Sequence, residues 1–328
     1  MTLVIPRSAV AQVLTFEDVL LAVESGHAAL ASGRAAQSDR RNLLTPESDV
    51  MLIPMLAASA AHDVAGLKLL ADTPGNPVQG LPRQQSAVLL VDRLTGSFEA
   101  VLDGGLITLF RTAAASAIAT KHLAGEDSRV LGMVGAGAQA WAHVQAVGQV
   151  RDIDRVVVWS RRTAPATALA ERCRAAGLDA VTVESPQQVA AEADIVCTLT
   201  PSHDPLLTGS DLHPGQHLNV VGAPPRGGHR EVDEAVMARC RIVLDDRRVA
   251  LDESDAIRAA LDTGAIGPDQ LDAELADVIA GTRPGRTSPD QITLYNSVGV
   301  GIQDMVIARL VTDAATKHGL GLEIDLTN

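Results

Sequence analysis

The chain has 328 residues, a length that predicts about two domains at roughly 150 residues each. Apolar residues make up 46% and charged residues 20%, which excludes a disordered chain. The net charge of -13 and the 2% of aromatic residues argue against a nucleic-acid partner, because such a partner needs a basic or base-stacking surface.

No segment has the pattern of a targeting sequence or a membrane span. Pro6 and Arg7 interrupt the first apolar stretch, and polar residues interrupt the longest one, at 130–150. The three cysteines are far apart and odd in number, so they predict neither a disulfide framework nor a zinc site. We expect a soluble, cytoplasmic protein with no membrane partner.

The first 118 residues mix helical and strand patterns. Apolar residues recur at helical spacing over 16–32, with Thr15 as N-cap and Gly33 as stop. Strand patterns lie at 50–56, 65–70, 87–91 and 98–102. The last two predict a hairpin, and the Pro- and Gly-rich stretch 72–82 predicts a loop.

From residue 129 onward, short apolar strands alternate with helical stretches. The strands lie at 130–134, 156–159, 180–183, 195–199, 218–221 and 242–244. This alternation predicts parallel βαβ units with right-handed crossovers. We therefore predict a doubly wound α/β domain at 119–296 and an α+β domain built from 1–118 and 297–328. The long helical pattern at 298–318 should pack back on the first domain and make it discontinuous.

The strongest chemical signal follows the first strand of the predicted α/β domain. Gly135-Ala136-Gly137-Ala138-Gln139-Ala140 fits G-x-G-x-x-A between a strand and a helix. Gly135 would permit the tight turn, Gly137 would let a pyrophosphate approach, and Ala140 would keep helix and strand close. The helix N-terminus offers N–H groups to phosphates. The pattern predicts dinucleotide binding, against the alternative of a simple strand–helix turn.

The end of the second strand bears on the choice of cofactor. An acidic side chain there would bind the ribose 2′-hydroxyl of NAD, whereas this chain has Trp159-Ser160-Arg161-Arg162. Serine and two guanidinium groups suit a 2′-phosphate. The sequence favours NADP(H), with NAD(H) possible if the arginines only cover a solvated helix start.

Three cationic residues of the first domain are candidates for a substrate site. Lys68, one of three lysines in the chain, lies in an apolar strand with Leu67 and Leu69 on the other face. If its face lines a cleft, Lys68 would be a proton-transfer group. If its strand is an exposed edge strand, Lys68 would be an ordinary surface lysine, and spacing alone leaves both alternatives open. Arg111 follows a turn into a helix and could clamp a carboxylate, or lie on the surface. Arg41, beside Arg40, fits a solvated pair better.

Two further classes of chemistry lack their patterns. The nine histidines form no H-E-x-x-H motif, so no catalytic metal is expected. No G-x-S-x-G elbow is present, which counts against a hydrolase of the α/β type.

The run Arg111-Thr112-Ala113-Ala114-Ala115-Ser116, followed by the 135–140 turn, resembles the ornithine cyclodeaminase/mu-crystallin family. Gly66-Leu67-Lys68, Asn76-Pro77, Arg230-Glu231-Val232-Asp233, the ending 292–299 and Asp304 also fit, so the resemblance covers nearly the whole chain. It implies a homodimer with a substrate and dimerisation domain and a Rossmann domain. It also implies a small imino or amino acid as substrate, with a bound nicotinamide.

The resemblance also assigns residues. Arg41 and Arg111 would bind the substrate carboxylate, and Lys68 would exchange protons at the reacting bond. The cofactor site would include, besides residues 135–139 and 160–162, Thr112, Thr198, Leu199, Thr200, Val221, Gly222, Ala223 and Ser297.

One departure bears on the reaction. Cyclodeaminases and alanine dehydrogenases of this family carry an aspartate after the strand that ends in Val-Gly, and residues 222–230 contain none here. The ketimine reductases of the family also lack it. We therefore expect an NADPH-dependent imine reductase or amino-acid dehydrogenase. The alternatives are an ornithine cyclodeaminase with tightly bound NAD and a non-catalytic nucleotide-binding protein.

Overall fold

The computed structural model describes residues 1–222 and 226–326. The chain divides into two compact units, Met1–Arg111 with Gly299–Asn328, and Thr112–Val298. The sequence placed these divisions after residue 118 and before residue 297. The first division falls inside one continuous helix, Gly104–Leu123, so no loop in the sequence marks its position.

Fifteen strands are found in the described part of the chain: β1 (Thr2–Ile5), β2 (Ala35–Gln37), β3 (Leu43–Leu44), β4 (Met51–Ser59), β5 (Val64–Asp72), β6 (Gln84–Val91), β7 (Phe98–Asp103), β8 (Val130–Val134), β9 (Arg155–Trp159), β10 (Asp179–Thr182), β11 (Ile195–Thr198), β12 (His217–Val220), β13 (Cys240–Leu244), β14 (Ile292–Asn296) and β15 (Leu322–Ile324). The α-helices of the same residues are α1 (Arg7–Val13), α2 (Phe16–Ala31), α3 (Gly104–Leu123), α4 (Ala138–Val147), α5 (Thr163–Ala175), α6 (Pro186–Glu192), α7 (Glu234–Arg239), α8 (Arg247–Glu253), α9 (Asp255–Asp262), α10 (Leu275–Ile279) and α11 (Gly301–His318).

The first unit is built on a sheet with the order β15-β1-β7-β6-β5-β4-β2, with β3 paired to β4. Its central strands β4, β5, β6 and β7 are antiparallel neighbours. The predicted hairpin is the β6–β7 pair. Helix α11 packs on β4, β5 and β6 and on α2, so the last helix returns to the first unit as the sequence predicted.

The pleat of β4, β5 and β6 separates two apolar faces. The face under α11 is buried and includes Ile53, Met55, Val88 and Leu90. The opposite face, which we call the outer sheet face, consists of Leu52, Pro54, Leu56, Ala58, Ala65, Leu67, Leu69, Ala71, Ala87, Leu89 and Val91, which alternate with the buried set. Leu56 is 48% exposed and Leu69 42% exposed, although both lie in central strands.

The sequence was wrong about the start of the helix that carries Arg111. Residues 111–116 were expected to follow a turn into a helix, whereas α3 already begins at Gly104. The side chain of Asp103 caps it, because its Oδ1 accepts a hydrogen bond from Leu106 N at 3.1 Å. The backbone of Gly104 lies against Ser86, and a Cβ there would lie 2.6 Å from Ser86 Oγ. The glycine pair therefore starts the helix, and Arg111 lies two turns into it.

The second unit contains a fully parallel sheet in the order β10-β9-β8-β11-β12-β14-β13. Strand order reverses between β8 and β11, which makes this the switch point of a doubly wound sheet. The predicted α/β architecture is confirmed. Strand β14 was not among the predicted strands, and it lies between β12 and β13.

The core of the second unit is a cluster of buried aliphatic side chains on and around this sheet, with Val134, Val196, Leu218 and Leu294 fully buried. The cysteines of the described residues are unpaired and buried. Within residues 1–222 and 226–326, no helix has the length and apolar character needed to cross a bilayer.

Candidate functional sites in the two units

The glycine-rich turn of the second unit has the geometry of a phosphate cradle. Gly135 adopts φ 114°, and its N–H donates to Trp159 O at 2.8 Å. A Cβ at Gly135 would lie 2.9 Å from Leu199 O, so only glycine fits this position. Gly137 is exposed, and a Cβ there would meet no heavy atom within 4 Å. The turn therefore leaves open space in front of the N-terminus of α4, as dinucleotide phosphates require.

Ser160, Arg161 and Arg162 leave β9 next to this turn, since Trp159 accepts the hydrogen bond from Gly135. Ser160 is half-buried, and Arg161 and Arg162 are exposed at the start of α5. This edge of the sheet is where strand 2 of a doubly wound domain contacts the adenosine ribose. Two exposed cations are thus available at the position that distinguishes the two nicotinamide cofactors.

The other predicted cofactor residues have different environments. Leu199 and Val221 are half-buried after β11 and β12. Thr198, in contrast, is fully buried and donates its hydroxyl to Glu231 Oε2 at 2.7 Å. Ser297 donates to Asp245 Oδ2 at 3.3 Å. Thr112 is buried in α3, and Ala223 lies outside the described residues.

The central feature of the first unit is a buried cation–carboxylate cluster. Lys68 Nζ donates to Asp304 Oδ1 at 2.8 Å, and both side chains are completely buried. Arg111 Nε lies 3.5 Å from the same oxygen. Lys68 is on β5, an internal strand, and faces α11, so the alternative of an exposed edge strand is wrong.

Burial controls the protonation of Lys68. The side chain lies between Met55 and Val88 of the neighbouring strands, and the loss of hydration lowers its pKa to about 7. The positive charges of Arg111 and Arg40 act in the same direction, while Asp304 opposes them. An amine with this pKa exchanges a proton readily near neutral pH.

The guanidinium of Arg111 is held in place by further buried groups. Its Nη1 donates to Gln303 Oε1 at 3.3 Å, and Gln303 Nε2 lies 3.1 Å from His27 Nε2. Burial lowers the pKa of His27 to about 4, so its ring is neutral. Gly299 has φ 76°, and a Cβ there would clash with the guanidinium.

Two polar atoms of this cluster have unused hydrogen-bonding capacity. Arg111 Nε and Asp304 Oδ2 are buried and have no hydrogen-bond partner. Buried polar groups are nearly always hydrogen-bonded in proteins. The cluster therefore has a free donor and a free acceptor, the combination that complements a molecule carrying both a carboxylate and an N–H group.

Sequence reasoning selected Arg41, whereas the structure brings Arg40 to the cluster. Arg40 Nη2 donates to Gly299 O at 2.7 Å and is half-buried, while Arg41 is exposed. Both arginines lie in a segment without periodicity, so no pattern separates them. Asp304 was part of the family resemblance, but sequence reasoning gave it no role, although it is an acidic residue inside the apolar stretch that becomes the buried part of α11.

The parallel sheet, its switch point and the Gly-x-Gly turn define a Rossmann-type dinucleotide-binding protein with a second, α+β unit. Residues 1–319 match the model of the ornithine cyclodeaminase/mu-crystallin family, and the chain belongs to this family, as the sequence predicted.

Named relatives cover most of the chain. The ketimine reductase mu-crystallin of Mus musculus is 36% identical over 79% of each chain. A structure of Thermococcus litoralis Delta(1)-pyrroline-2-carboxylate reductase with NADH and L-proline has a TM-score of 0.93 and 31% identity, over 98% of this chain and 100% of that one. An archaeal alanine dehydrogenase dimer with bound NAD has a TM-score of 0.92 and 31% identity over 99% of each chain. These relatives are reductases and a dehydrogenase, the class of enzyme expected from the sequence.

Proposed function

We propose that this protein catalyses the NAD(P)H-dependent reduction of the C=N bond of a small α-imino acid, or the reverse oxidation of the amino acid. The observation that carries the proposal is the buried Lys68–Asp304–Arg111 cluster, in a chain that also has a dinucleotide turn. Family membership supports the same reaction class.

The residues of the cluster have separate roles in this proposal. Arg111 and Arg41 bind the substrate carboxylate, and Arg40 adds a third positive charge nearby. The free Oδ2 of Asp304 accepts a hydrogen bond from the substrate nitrogen. Lys68, directly or through a water molecule that it holds, supplies the proton that the nitrogen gains on reduction.

The dinucleotide, when bound, supplies the hydride. The protein's part is to hold it through the 135–139 turn and the neighbouring strand ends. The residues proposed to contribute there are Thr112, Thr198, Leu199, Thr200, Val221, Gly222, Ala223 and Ser297. Because Thr198 and Ser297 are buried against Glu231 and Asp245, we propose that they shape the site through these neighbours.

The proposed role of Lys68 is tested by Lys68→Ala. We expect kcat to fall about 100-fold or more, the usual scale for a positioned proton-transfer group, with dinucleotide affinity nearly unchanged. Arg111→Ala should mainly raise KM, because it removes a carboxylate anchor used in the ground state and the transition state. Lys317→Ala, an exposed lysine of the same unit, is the matched control. Near-normal kcat in Lys68→Ala would show that Lys68 has no part in proton transfer.

We propose further that NADP(H) is the preferred cofactor, although related structures hold NADH or NAD. The support is Ser160, Arg161 and Arg162 at the end of β9, where no carboxylate is present. Replacing Arg161 and Arg162 by Ala should weaken the binding of NADPH at least about tenfold more than the binding of NADH, since only NADPH carries the 2′-phosphate. Arg129→Ala is the control, because Arg129 is an exposed arginine at the amino end of β8, whereas the glycine-rich turn follows the carboxyl end of that strand. Equal losses for both cofactors would remove these arginines from 2′ recognition.

The outer sheet face supports a homodimer. Exposed leucines in central strands form an apolar surface of the kind that marks protein–protein contacts, and a related alanine dehydrogenase is a dimer. A cytoplasmic location stays a prediction from the composition.

Ornithine cyclodeamination is the second candidate. The family takes part of its name from this activity, but residues 222–230 lack the aspartate that the cyclodeaminases carry. Turnover of L-ornithine to proline and ammonia without net oxidation of NADH would identify it. A protein that binds NAD(P)H but turns over no imino or amino acid would fit the third candidate, a non-catalytic binding protein.

A further inference from the structure

A buried glutamate joins the ends of two strands in the second unit. Strands β11 and β12 are parallel neighbours that end together, with Thr198 opposite Val220. The carboxylate of Glu231, which is 1% exposed, lies beneath the residues that follow them. Its Oε1 accepts hydrogen bonds from Thr200 N at 2.6 Å and Thr200 Oγ1 at 2.7 Å. Its Oε2 accepts from Gly222 N and from Thr198 Oγ1, both at 2.7 Å.

The two carboxylate oxygens of Glu231 bind different strand ends. One oxygen holds the backbone after β11, and the other holds the backbone after β12. Two of the four donors are backbone N–H groups, one on each strand end, and each lies within 2.7 Å of a carboxylate oxygen. Burial raises the pKa of Glu231 and outweighs these hydrogen bonds, which lower it. The side chain therefore fixes the spacing of the two strand ends.

The contact between these strand ends is close enough to require a glycine. A Cβ at Gly222 would overlap the backbone N of Thr200 and lie 2.6 Å from Glu231 Oε1. Neither backbone segment can move toward the other, and the carboxylate prevents them from moving apart. Thr200 and Gly222 are thus locked as a pair.

The position of Thr200 and Gly222 in the sheet indicates which half of a bound dinucleotide they would face. A doubly wound sheet has two mononucleotide-binding halves that meet at the switch point, here between β8 and β11. The glycine-rich turn and Ser160 belong to the half made of β8, β9 and β10. The pair held by Glu231 belongs to the other half, at the carboxyl ends of the strands, where ligands of such sheets bind.

We propose that Glu231 is a positioning residue for the nicotinamide half of the cofactor: it sets the strand ends at Thr200 and Gly222 against which that half binds. The inference rests on the proposed dinucleotide-dependent function. It assigns to Glu231 no contact with the cofactor and no part in the chemistry.

The test is Glu231→Gln, which keeps the shape of the side chain. Whichever way the amide is oriented, its NH2 group faces the N–H of either Thr200 or Gly222, so one strand end loses its acceptor. We expect the affinity for the preferred dinucleotide, measured by fluorescence titration, to fall about tenfold or more, the effect of one buried N–H group left without its acceptor. The affinity for ADP, which lacks the nicotinamide half, should change less than about twofold when it is measured by titration calorimetry.

Two controls separate positioning from general loss of stability. Glu234→Gln removes a carboxylate that pairs with Arg230 and does not contact the strand ends. Val236→Ala opens a small cavity in the core of the same segment and lowers Tm. Both should leave the ratio of ADP to dinucleotide affinity unchanged. If Glu231→Gln fails to fold, Thr198→Val removes one donor to Glu231 from a fully buried position and should shift the same ratio to a smaller extent.

The outcomes are distinct. Unchanged dinucleotide affinity in a folded Glu231→Gln protein, or an equal loss of ADP and dinucleotide affinity, would overturn the inference and leave the proposed function intact. A wild-type protein that binds ADP but neither NADH nor NADPH would overturn the proposed function, and the inference with it.

Discussion

Lys68 and Arg111 share a single carboxylate oxygen of Asp304, and this arrangement determines how the cluster responds to pH. Removing water from an ammonium group favours its neutral form, and a second cation on the same carboxylate strengthens the effect. Asp304 alone does not restore the ordinary value, because the pKa of Lys68 is lowered from 10.5 to about 7. The lysine is therefore poised between acid and base near neutral pH.

This pKa gives a pH dependence with a definite sign. Reduction of the imine requires the protonated form of the Lys68 amine, which is present below about pH 7 and lost above it. In wild type, kcat/KM for reduction should fall as pH rises through about 7, and kcat/KM for oxidation should rise. The arginine of Lys68→Arg keeps its charge on both sides of pH 7, so the residual activity of this variant should not show the change in kcat/KM near pH 7. Any titration of the substrate itself remains in both proteins.

The same experiment can contradict the assignment. If wild type and Lys68→Arg show the same limb near pH 7, the titrating group is not Lys68. The pKa of His27, lowered to about 4 by burial, places that ring outside the pH range in question.

At the level of elements, the proposed homodimer rests on the outer sheet face. Strands β4, β5 and β6 are internal to the sheet, and one of their faces is covered by α11. On the other face, opposed side chains such as Leu56 and Leu67 present apolar surface to solvent in the single chain. Burial of such surface contributes roughly 25 cal/mol per Å², so a second copy of the same face is a natural partner.

Leu56→Glu should therefore convert the dimer to a monomer. A charge at the centre of an apolar contact would be desolvated without a partner, which is strongly unfavourable. Light scattering should give about twice the chain mass for wild type and the mass of one chain for the variant. Leu21→Glu is the control, because Leu21 is 65% exposed on α2 and is not part of the outer sheet face. A monomeric wild type at micromolar concentration would contradict the dimer.

At the level of the whole molecule, the repeating parts were predictable from the sequence. The strand–helix alternation after residue 129 and the turn at 135–140 depend on local patterns that determine local structure, and both were confirmed. Strand β14 was missed because it is a single strand inserted between β12 and β13, with no helix immediately before it. The start of α3 was missed because Gly104 and Gly105 resemble a turn, and only the contact with Ser86 explains them.

The candidate site was predictable only in part, because its geometry is made by residues far apart in sequence. Lys68 was identified as a candidate, but its burial depends on its place in an internal strand and on Asp304 of α11, 236 residues away. The same holds for Arg40, whose contact with Gly299 joins residues 259 positions apart. Spacing along a chain carries no information on such pairings, which the tertiary structure alone provides.

The most direct test of the proposed imine reduction is a substrate screen with the purified protein, in which oxidation of NADPH or NADH is followed by the loss of absorbance of the reduced nicotinamide. Pyrroline-2-carboxylate, piperideine-2-carboxylate, and pyruvate with ammonia or methylamine are the imino-acid substrates to compare with L-ornithine. The proposed function predicts stoichiometric consumption of reduced cofactor, and formation of the amino acid, with at least one of the imino acids. Release of ammonia from ornithine without net cofactor consumption, and no reduction of any imino acid, would contradict it.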